Sequence, residues 1–282
     1  MTTTSRSETL PEPEPTSSTT LLEAEDVTVR FGGVVALDSV RIRVPQGGAV
    51  GLVGPNGAGK TTLFGVLSGL LRPRSGRVRL NGVDVTNKSP QARAKLGLAR
   101  TFQRMELFNE LTVREHLIVA RRVREGRQSL LGFFRDLSGF GEGLSPDEAA
   151  AVDDILQLVG LGPVADRPAE SVPLGTGRLV EVARALASEP SVMLLDEPSS
   201  GLDAHETDQL SEALQRVHQE RGTAFVLVEH NVEFVTNLSD TVTVLDFGRV
   251  LLEGRPDEIM RSPEVQAAYL GAPVDSEPEE AS

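Results

Sequence analysis

Residues 50–62 read V-G-L-V-G-P-N-G-A-G-K-T-T. An apolar run, Ala49 to Val53, leads into Gly54-Pro55-Asn56-Gly57-Ala58-Gly59-Lys60-Thr61, and a helix-like run from Thr62 to Leu71 follows. The pattern G-x-x-x-x-G-K-[ST] between a strand and a helix is that of a phosphate-binding loop. Three glycines in six residues let the backbone curl so that successive N–H groups point inward. The following helix adds its positive N-terminal end. Lys60 is expected to reach the β- and γ-phosphates of a nucleotide, and Thr61 to give its hydroxyl to Mg²⁺. The competing reading, a Gly-rich turn opening an ordinary helix, is disfavoured because pattern and context agree.

Upstream of the loop, residues 1–20 are rich in Thr, Ser, Pro and Glu with almost no large apolar residue, the composition of a disordered tail. Val27, Val29 and Phe31 alternate with polar residues, Gly32-Gly33 makes a turn, and Val40, Ile42 and Val44 alternate again. This is an antiparallel lead-in before the buried strand. Downstream, Asn81-Gly82 between Arg77–Leu80 and Val83–Val85 signals a hairpin. Gln91–Leu96 is expected to be helical, with a short apolar stretch after it ending at Gln103.

From there the pattern turns helical. Thr112-Val113-Arg114-Glu115 and Ser145-Pro146-Asp147-Glu148 are capping boxes that open two helices. A glycine-broken apolar connection holding Phe133 and Phe134 separates them. Residues about 104–180 thus read as a helical subdomain, with a helix expected from Gly177 to Ser188. Val192–Leu195 and Ala224–Val228 are fully apolar strands with a helix between them from His205 to about Glu220, stopped by Gly222. Val242–Leu245 and Val250–Leu252 flank a Phe247-Gly248 turn, and two short helical pieces near 256–262 and 264–270 finish the fold. Residues 272–282 read as a second, acidic tail.

The chemistry gathers at strand ends. Asp196 and Glu197 follow the apolar strand, where an acidic residue stands beside a phosphate loop in doubly wound folds. Asp196 is placed to hold Mg²⁺, directly or through its water shell. Glu197 is placed to orient or deprotonate an attacking water. His230, just past the next buried strand, is a candidate sensor of the γ-phosphate. Gln103 stands where sheet gives way to helices and is a candidate ligand for Mg²⁺ or water. Phe31 offers a ring that stacks on a purine, with ordinary core packing as its rival.

These residues, in this order, resemble the nucleotide-binding subunit of an ATP-binding cassette (ABC) transporter. By that resemblance Phe31 matches the adenine-stacking aromatic, and Gly54 to Thr61 the Walker A loop. Gln103 matches the Q-loop, and Val192 to Glu197 the Walker B strand with its catalytic glutamate. Ser200-Gly201-Leu202-Asp203 matches the D-loop and His230 the switch histidine. The resemblance covers residues of about 21–271 and implies an α/β fold: a P-loop core, an antiparallel β lead-in and a helical subdomain. It implies ATP and Mg²⁺ at residues 54–62, with catalysis by Glu197, His230 and Lys60. It also implies a second ATPase subunit, permease subunits that dock the chain on the cytoplasmic face of the membrane, and indirectly a solute-binding protein.

Three stretches narrow the likeness to ATPases of branched-chain amino acid importers. They are Ala99-Arg100-Thr101-Phe102-Gln103 continuing through Leu107-Phe108 to Leu111-Thr112-Val113, the Phe133-Phe134 insertion, and Ser262 to Gly271 at the end. One departure stands out. The family signature reads L-S-x-G-Q, but this chain has Val172-Pro173-Leu174-Gly175-Thr176. Pro173 stands where the serine hydroxyl would meet a partner's γ-phosphate, and Gly175 keeps the close backbone approach. The reading that follows is of two unequal composite sites.

Composition bounds the alternatives. The 282 residues include no cysteine, which excludes disulfides, zinc-thiolate sites and a thiol nucleophile. Net charge is −13, almost half of it in the two tails, and offers no basic face for nucleic acid. No N-terminal signal pattern and no membrane-spanning run is expected. A soluble ABC protein of repair or translation would want a coiled coil, zinc cysteines or two cassettes. A regulatory cassette of weak catalysis is suggested by Pro173 alone. A guanine-reading N-K-x-D motif is missing, since Asn87-Lys88-Ser89-Pro90 fails at its last position.

Overall fold

A computed structural model of the chain describes residues 19–101, 107–108, 110–126 and 144–270. Gln103, the Phe133-Phe134 segment and nearly all of both expected tails lie outside the described residues. The alternating lead-in forms β1 (Thr20–Phe31) and β2 (Val34–Pro45), paired antiparallel. The first strand starts at Thr20, where the tail had been expected to run, because Thr19 already accepts a bond from the Gln46 amide at 2.9 Å. Next come β3 (Ala49–Val53) and α1 (Lys60–Ser68), which holds the lysine of the phosphate loop. The Asn81-Gly82 hairpin is β4 (Ser75–Leu80) with β5 (Val83–Asp84), and Asn81 takes a positive φ as that turn requires. Then follow α2 (Pro90–Lys95), capped by Ser89, and β6 (Leu98–Arg100).

The helical stretch holds α3 (Val113–Arg124), α4 (Pro146–Leu158) and α5 (Leu174–Ala187). Thr112 and Glu115 close the first capping box as expected. The second closes by half. Ser145 accepts from the Glu148 amide, but the Glu148 carboxylate turns to Arg122, at 2.7 and 2.9 Å. The helix expected to start after Gly177 begins at Leu174, because Pro173 O accepts the Gly177 amide at 2.9 Å and closes the first turn. After it run β7 (Val192–Asp196), α6 (Ala204–Arg221) with Gly222 at its C-cap, and β8 (Ala224–Val228). The helix α7 (Val232–Leu238) was not foreseen. Its Asn231 cap and its Phe234, Val235 and Leu238 buried face span only two turns, too few for periodicity to register. The chain closes with β9 (Thr241–Asp246), β10 (Arg249–Gly254), α8 (Pro256–Ile259) and α9 (Pro263–Leu270).

Among the described residues the strands form two sheets. One has the order β2-β1-β4-β5 and the other β10-β9-β3-β8-β7-β6. In the second, β6, β7, β8, β3 and β9 run parallel, and β10 pairs antiparallel at the edge. Of these, β3 and β8 are apolar throughout, and β7 is apolar up to Asp196, because both faces are covered. Their period of two divides them cleanly. Val50, Leu52, Val192, Leu194, Val226 and Val228 face a core with α1 and the first sheet. Ala49, Val53, Met193, Leu195, Phe225 and Leu227 face the core built by α3, α4, α5 and α6. Lying between two sheets, α1 buries Leu63, Phe64, Val66 and Leu67, more than one stripe.

Register sets the level of the strand ends. Leu52 stands opposite Val228, and Val228 opposite Asp196. The residues that follow each strand, Gly54, Glu229 and Glu197, therefore emerge side by side at one edge. That is the carboxyl edge where open α/β sheets bind ligands.

Candidate nucleotide site

The loop after β3 takes its shape from its glycines. Gly54 has φ 145°, and a Cβ there would lie 2.0 Å from the Leu245 carbonyl oxygen. Gly59 has φ 108°, and a Cβ would lie 2.7 Å from Ala36 O. Both leave only a hydrogen's room because β2 and β9 press on the loop from behind. Gly57, with φ 82°, meets nothing within 4 Å. Its side of the loop is open, and Asn56, Gly57 and Thr61 are exposed while Ala58 is buried. Lys60 is buried and its Nζ donates to Gly54 O at 2.6 Å and Pro55 O at 3.0 Å. Burial holds its ammonium below the usual lysine range, against the opposing pull of Glu197. Two neutral carbonyls are weak partners for a buried cation, so phosphate oxygens would be better ones.

Helix capping singles out the same place. Of the helices with nine or more residues, α3, α4 and α6 receive a side-chain cap from Thr112, Ser145 and Asp203. Neither α1, with Gly59 at its N-cap, nor α5, with Pro173 there, has one. The first turn of α1 also lacks an acidic residue. Its orphan N–H groups and dipole face the open side of the loop, which suits an anion.

The acidic residues follow from the strand ends. Asp196 is buried and accepts from Arg100 Nη2 at 2.7 Å, while Arg100 Nη1 donates to Ser68 Oγ at 3.0 Å. Glu197 has φ 46°, a left-handed backbone unusual for a residue with a side chain. Its Oε1 lies 3.1 Å from His230 Nε2. The two catalytic candidates are thus in contact although 33 residues apart. For a divalent cation the donor set is right. Thr61 offers an exposed hydroxyl and Asp196 a carboxylate, hard oxygens of the kind Mg²⁺ takes alongside phosphate.

Other expected residues sit further out. Phe31 ends β1 with its ring 53 % exposed, so it is not the core residue that was its rival reading. Asp203 caps α6 by accepting the Glu206 amide at 2.8 Å. Pro173 and Leu174 are exposed at the uncapped start of α5. Gly175 is buried under Glu206, whose Oε1 accepts the Gly175 amide at 3.1 Å, and a Cβ there would lie 2.8 Å from that carboxylate. Glu206 thus supplies from a distance the anion that α5 lacks locally.

Three side chains at this edge were missed by sequence reasoning: Arg100, Glu206 and Glu229. Glu229 is buried beside His230 and accepts from the Ser199 and His230 amides. The only hint was its place at a strand end, and no local pattern reports which loops a carboxylate will bridge.

A strand–loop–helix phosphate cradle, flanked by acidic and histidine strand ends in a parallel sheet, defines a P-loop nucleotide-binding ATPase. The chain belongs to the ABC transporter family, whose profile matches residues 37–200. A second profile, of the branched-chain amino acid ATP-binding cassette transporter, matches residues 249–275. The chain is 36% identical over 251 residues to the high-affinity branched-chain amino acid transport ATP-binding protein BraF of Pseudomonas aeruginosa, spanning 89% of this chain and 98% of that one. It is 36% identical over 256 residues to the protein LivG of Escherichia coli, which carries the same description, again spanning 89% and 98%. Among solved structures, a nucleotide-free ATP-binding cassette from an ABC transporter matches with a TM-score of 0.75 at 30% identity, over 89% of this chain and 99% of that one. The ADP conformation of MJ1267, an ATP-binding cassette of an ABC transporter, matches with a TM-score of 0.76 at 30% identity and the same coverage.

Proposed function

We propose that this chain is the ATP-hydrolysing subunit of an importer for branched-chain amino acids, working on the cytoplasmic face of the membrane. The observation that carries the solute class is the C-terminal match over residues 249–275, added to 36% identity with branched-chain importers along most of the chain. No helix among the described residues is long and apolar enough to cross a membrane. The candidate dock for a permease is a groove of about 390 Å³ between α2 and β6 on one side and α3 and α5 on the other. Leu70 and Val123 line it and are exposed, as a partner surface requires.

In this reading ATP lays its phosphates on residues 54–62 and its purine near Phe31. Lys60 leaves the Gly54 and Pro55 carbonyls for phosphate oxygens. Thr61, Asp196 and Gln103, the last outside the described residues, would hold Mg²⁺, which when bound would neutralise charge on the phosphates. Glu197 orients or deprotonates the attacking water, and His230 donates to the γ-phosphate. A second cassette completes the site. Its counterpart surface on this chain is Pro173, Gly175 and the D-loop at Asp203. Because Pro173 lacks a hydroxyl and Glu206 holds the Gly175 amide, the lid this chain offers is the poorer of the two.

The test is reconstitution with the permeases, the partner cassette and the solute receptor. ATP turnover is expected to rise with leucine, isoleucine or valine, and to fall by about 100-fold or more in Glu197→Gln with ATP binding kept. Stimulation by an unrelated solute alone would remove the solute class. Equal losses from Glu197→Gln and from the partner's corresponding substitution would remove the inequality of the sites.

A further inference from the structure

We infer that Glu229 is a positioning residue for hydrolysis, its buried carboxylate tying the turn that carries Glu197 to the strand end that carries His230. The inference rests on the roles given above to Glu197 and His230. Glu229 is only 4 % exposed. Its Oε1 accepts from the Ser199 amide at 2.7 Å and its Oε2 from the His230 amide at 3.0 Å. These two backbone N–H groups are its hydrogen-bond partners among the described residues. Burying a carboxylate is costly unless its oxygens are bonded, and here both are bonded to the two catalytic segments.

Contacts close into a ring. From Glu197 the chain passes through Pro198, which has no N–H, to Ser199, whose amide is gripped by Glu229. The other oxygen of Glu229 grips the amide of His230, and the His230 side chain returns to Glu197 at 3.1 Å. Glu197 needs such support. Its left-handed backbone persists only where the surroundings over-determine it. Two further bonds hold it, from its amide to Val228 O at 2.9 Å and from the Ser200 amide to its own carbonyl at 3.1 Å. The first ties Glu197 to the end of β8 and the second closes the turn on itself, and Glu229 adds a link from the Ser199 amide to the His230 amide. Only a carboxylate suits the position. Serine or threonine has one oxygen to offer. Glutamine would present one acceptor and set an N–H₂ group against the second amide.

The experiment uses the full chain in its membrane complex with Glu229→Gln and Glu229→Ala. Steady-state turnover is read beside ATP affinity from a fluorescent ATP analogue and beside thermal stability. Expected is a fall in kcat of about 10-fold for Gln and about 100-fold for Ala, with ATP affinity within about twofold of the parent. The near-isosteric Glu229→Gln is also expected to speed amide hydrogen exchange at Ser199 and His230. Turnover unchanged in both variants overturns the inference. So does a joint loss of kcat, ATP affinity and melting temperature, which is the mark of a merely structural residue. Glu197→Gln is measured alongside. Retained turnover there removes the role of Glu197 and the inference with it, whereas loss there with turnover kept in the Glu229 variants removes the inference alone.

Discussion

Replacing Arg93 by methionine should destabilise the chain without touching its chemistry. Arg93 is fully buried beneath the C-terminal end of α1. Its guanidinium donates to Val66 O and Leu67 O, both at 2.6 Å, and to Thr86 O at 3.2 Å and Lys88 O at 3.3 Å. The first two are carbonyls of the last helical turn, beyond the helix's own ladder, and Val66 O also accepts the Gly69 cap amide at 3.2 Å. The cation also sits at the negative end of the dipole of α1. Hydrogen bonds to a charged group are worth about 1.5–3 kcal/mol each, so the two short ones dominate. Against them stands the cost of taking the guanidinium out of water, which lowers its pKa to about 10. Methionine restores much of the packing and relieves that cost, but takes the guanidinium bonds from both carbonyls and leaves Val66 O with the Gly69 amide. The balance is a loss of about 2–4 kcal/mol, the cost of leaving two buried carbonyls short of a strong donor. A chain of this size should then melt roughly 4–12 °C lower. The assay is thermal unfolding of parent, Arg93→Met and Arg93→Lys, with Arg79→Met as a surface control, since Arg79 meets Glu25 in a part-exposed pair. Lysine should fall between parent and methionine. A shift below about 2 °C for methionine, or one no larger than the control's, would refute the argument that these carbonyls depend on Arg93. With a pKa near 10, Arg93 stays charged through neutral pH and adds no pH dependence there.

Gly54→Ala should abolish nucleotide binding in calorimetry, because its Cβ would meet Leu245 O at 2.0 Å. Gly57→Ala has open space and only a φ of 82° to bear, which costs about 1–2 kcal/mol, or roughly a tenfold weaker affinity; equal effects of the two would contradict the geometry. His116 is buried, with Nδ1 on Thr112 O at 2.8 Å and Nε2 accepting the Phe108 amide at 2.9 Å. Burial holds its pKa below the ordinary histidine value, since the charged ring would lose the Phe108 bond. The folded state therefore favours the neutral ring. Its stabilisation is complete above about pH 6.5 and declines as pH falls from there toward the folded value. His116→Leu should be less stable than the parent at pH 7, and the gap in melting temperature should narrow by pH 5; a gap that widens on acidification would reverse the sign of the reasoning.

Much of this protein was written in local pattern. The phosphate loop is one contiguous motif whose glycines are needed for backbone reasons, and it stands where residues 54–61 put it. The apolar strands ending in Asp196 and Val228, the Asn81-Gly82 hairpin and the Thr112 cap are likewise short-range choices that any fold must honour. What stayed hidden depended on distance along the chain. The pairing of Glu197 with His230 needs strands β7 and β8 to lie adjacent and in register, and register is set by long-range packing of two apolar faces. The helix expected at Gln91–Leu96 carried no sign that Arg93 would be buried, and only the burial of α1 between two sheets makes Arg93 the end cap of α1. The same holds for the opening residue of α5. Pro173 could be read as a departure from the family signature, but that Glu206 reaches 31 residues back to hold the Gly175 amide follows from how α5 packs on α6. Sequence alone determined where the phosphate-loop motif stands and which glycines shape it, because a backbone curl and a helix start are local. Tertiary structure decided which charges face that loop, because a carboxylate's partners are chosen by whatever the sheet brings within 3 Å.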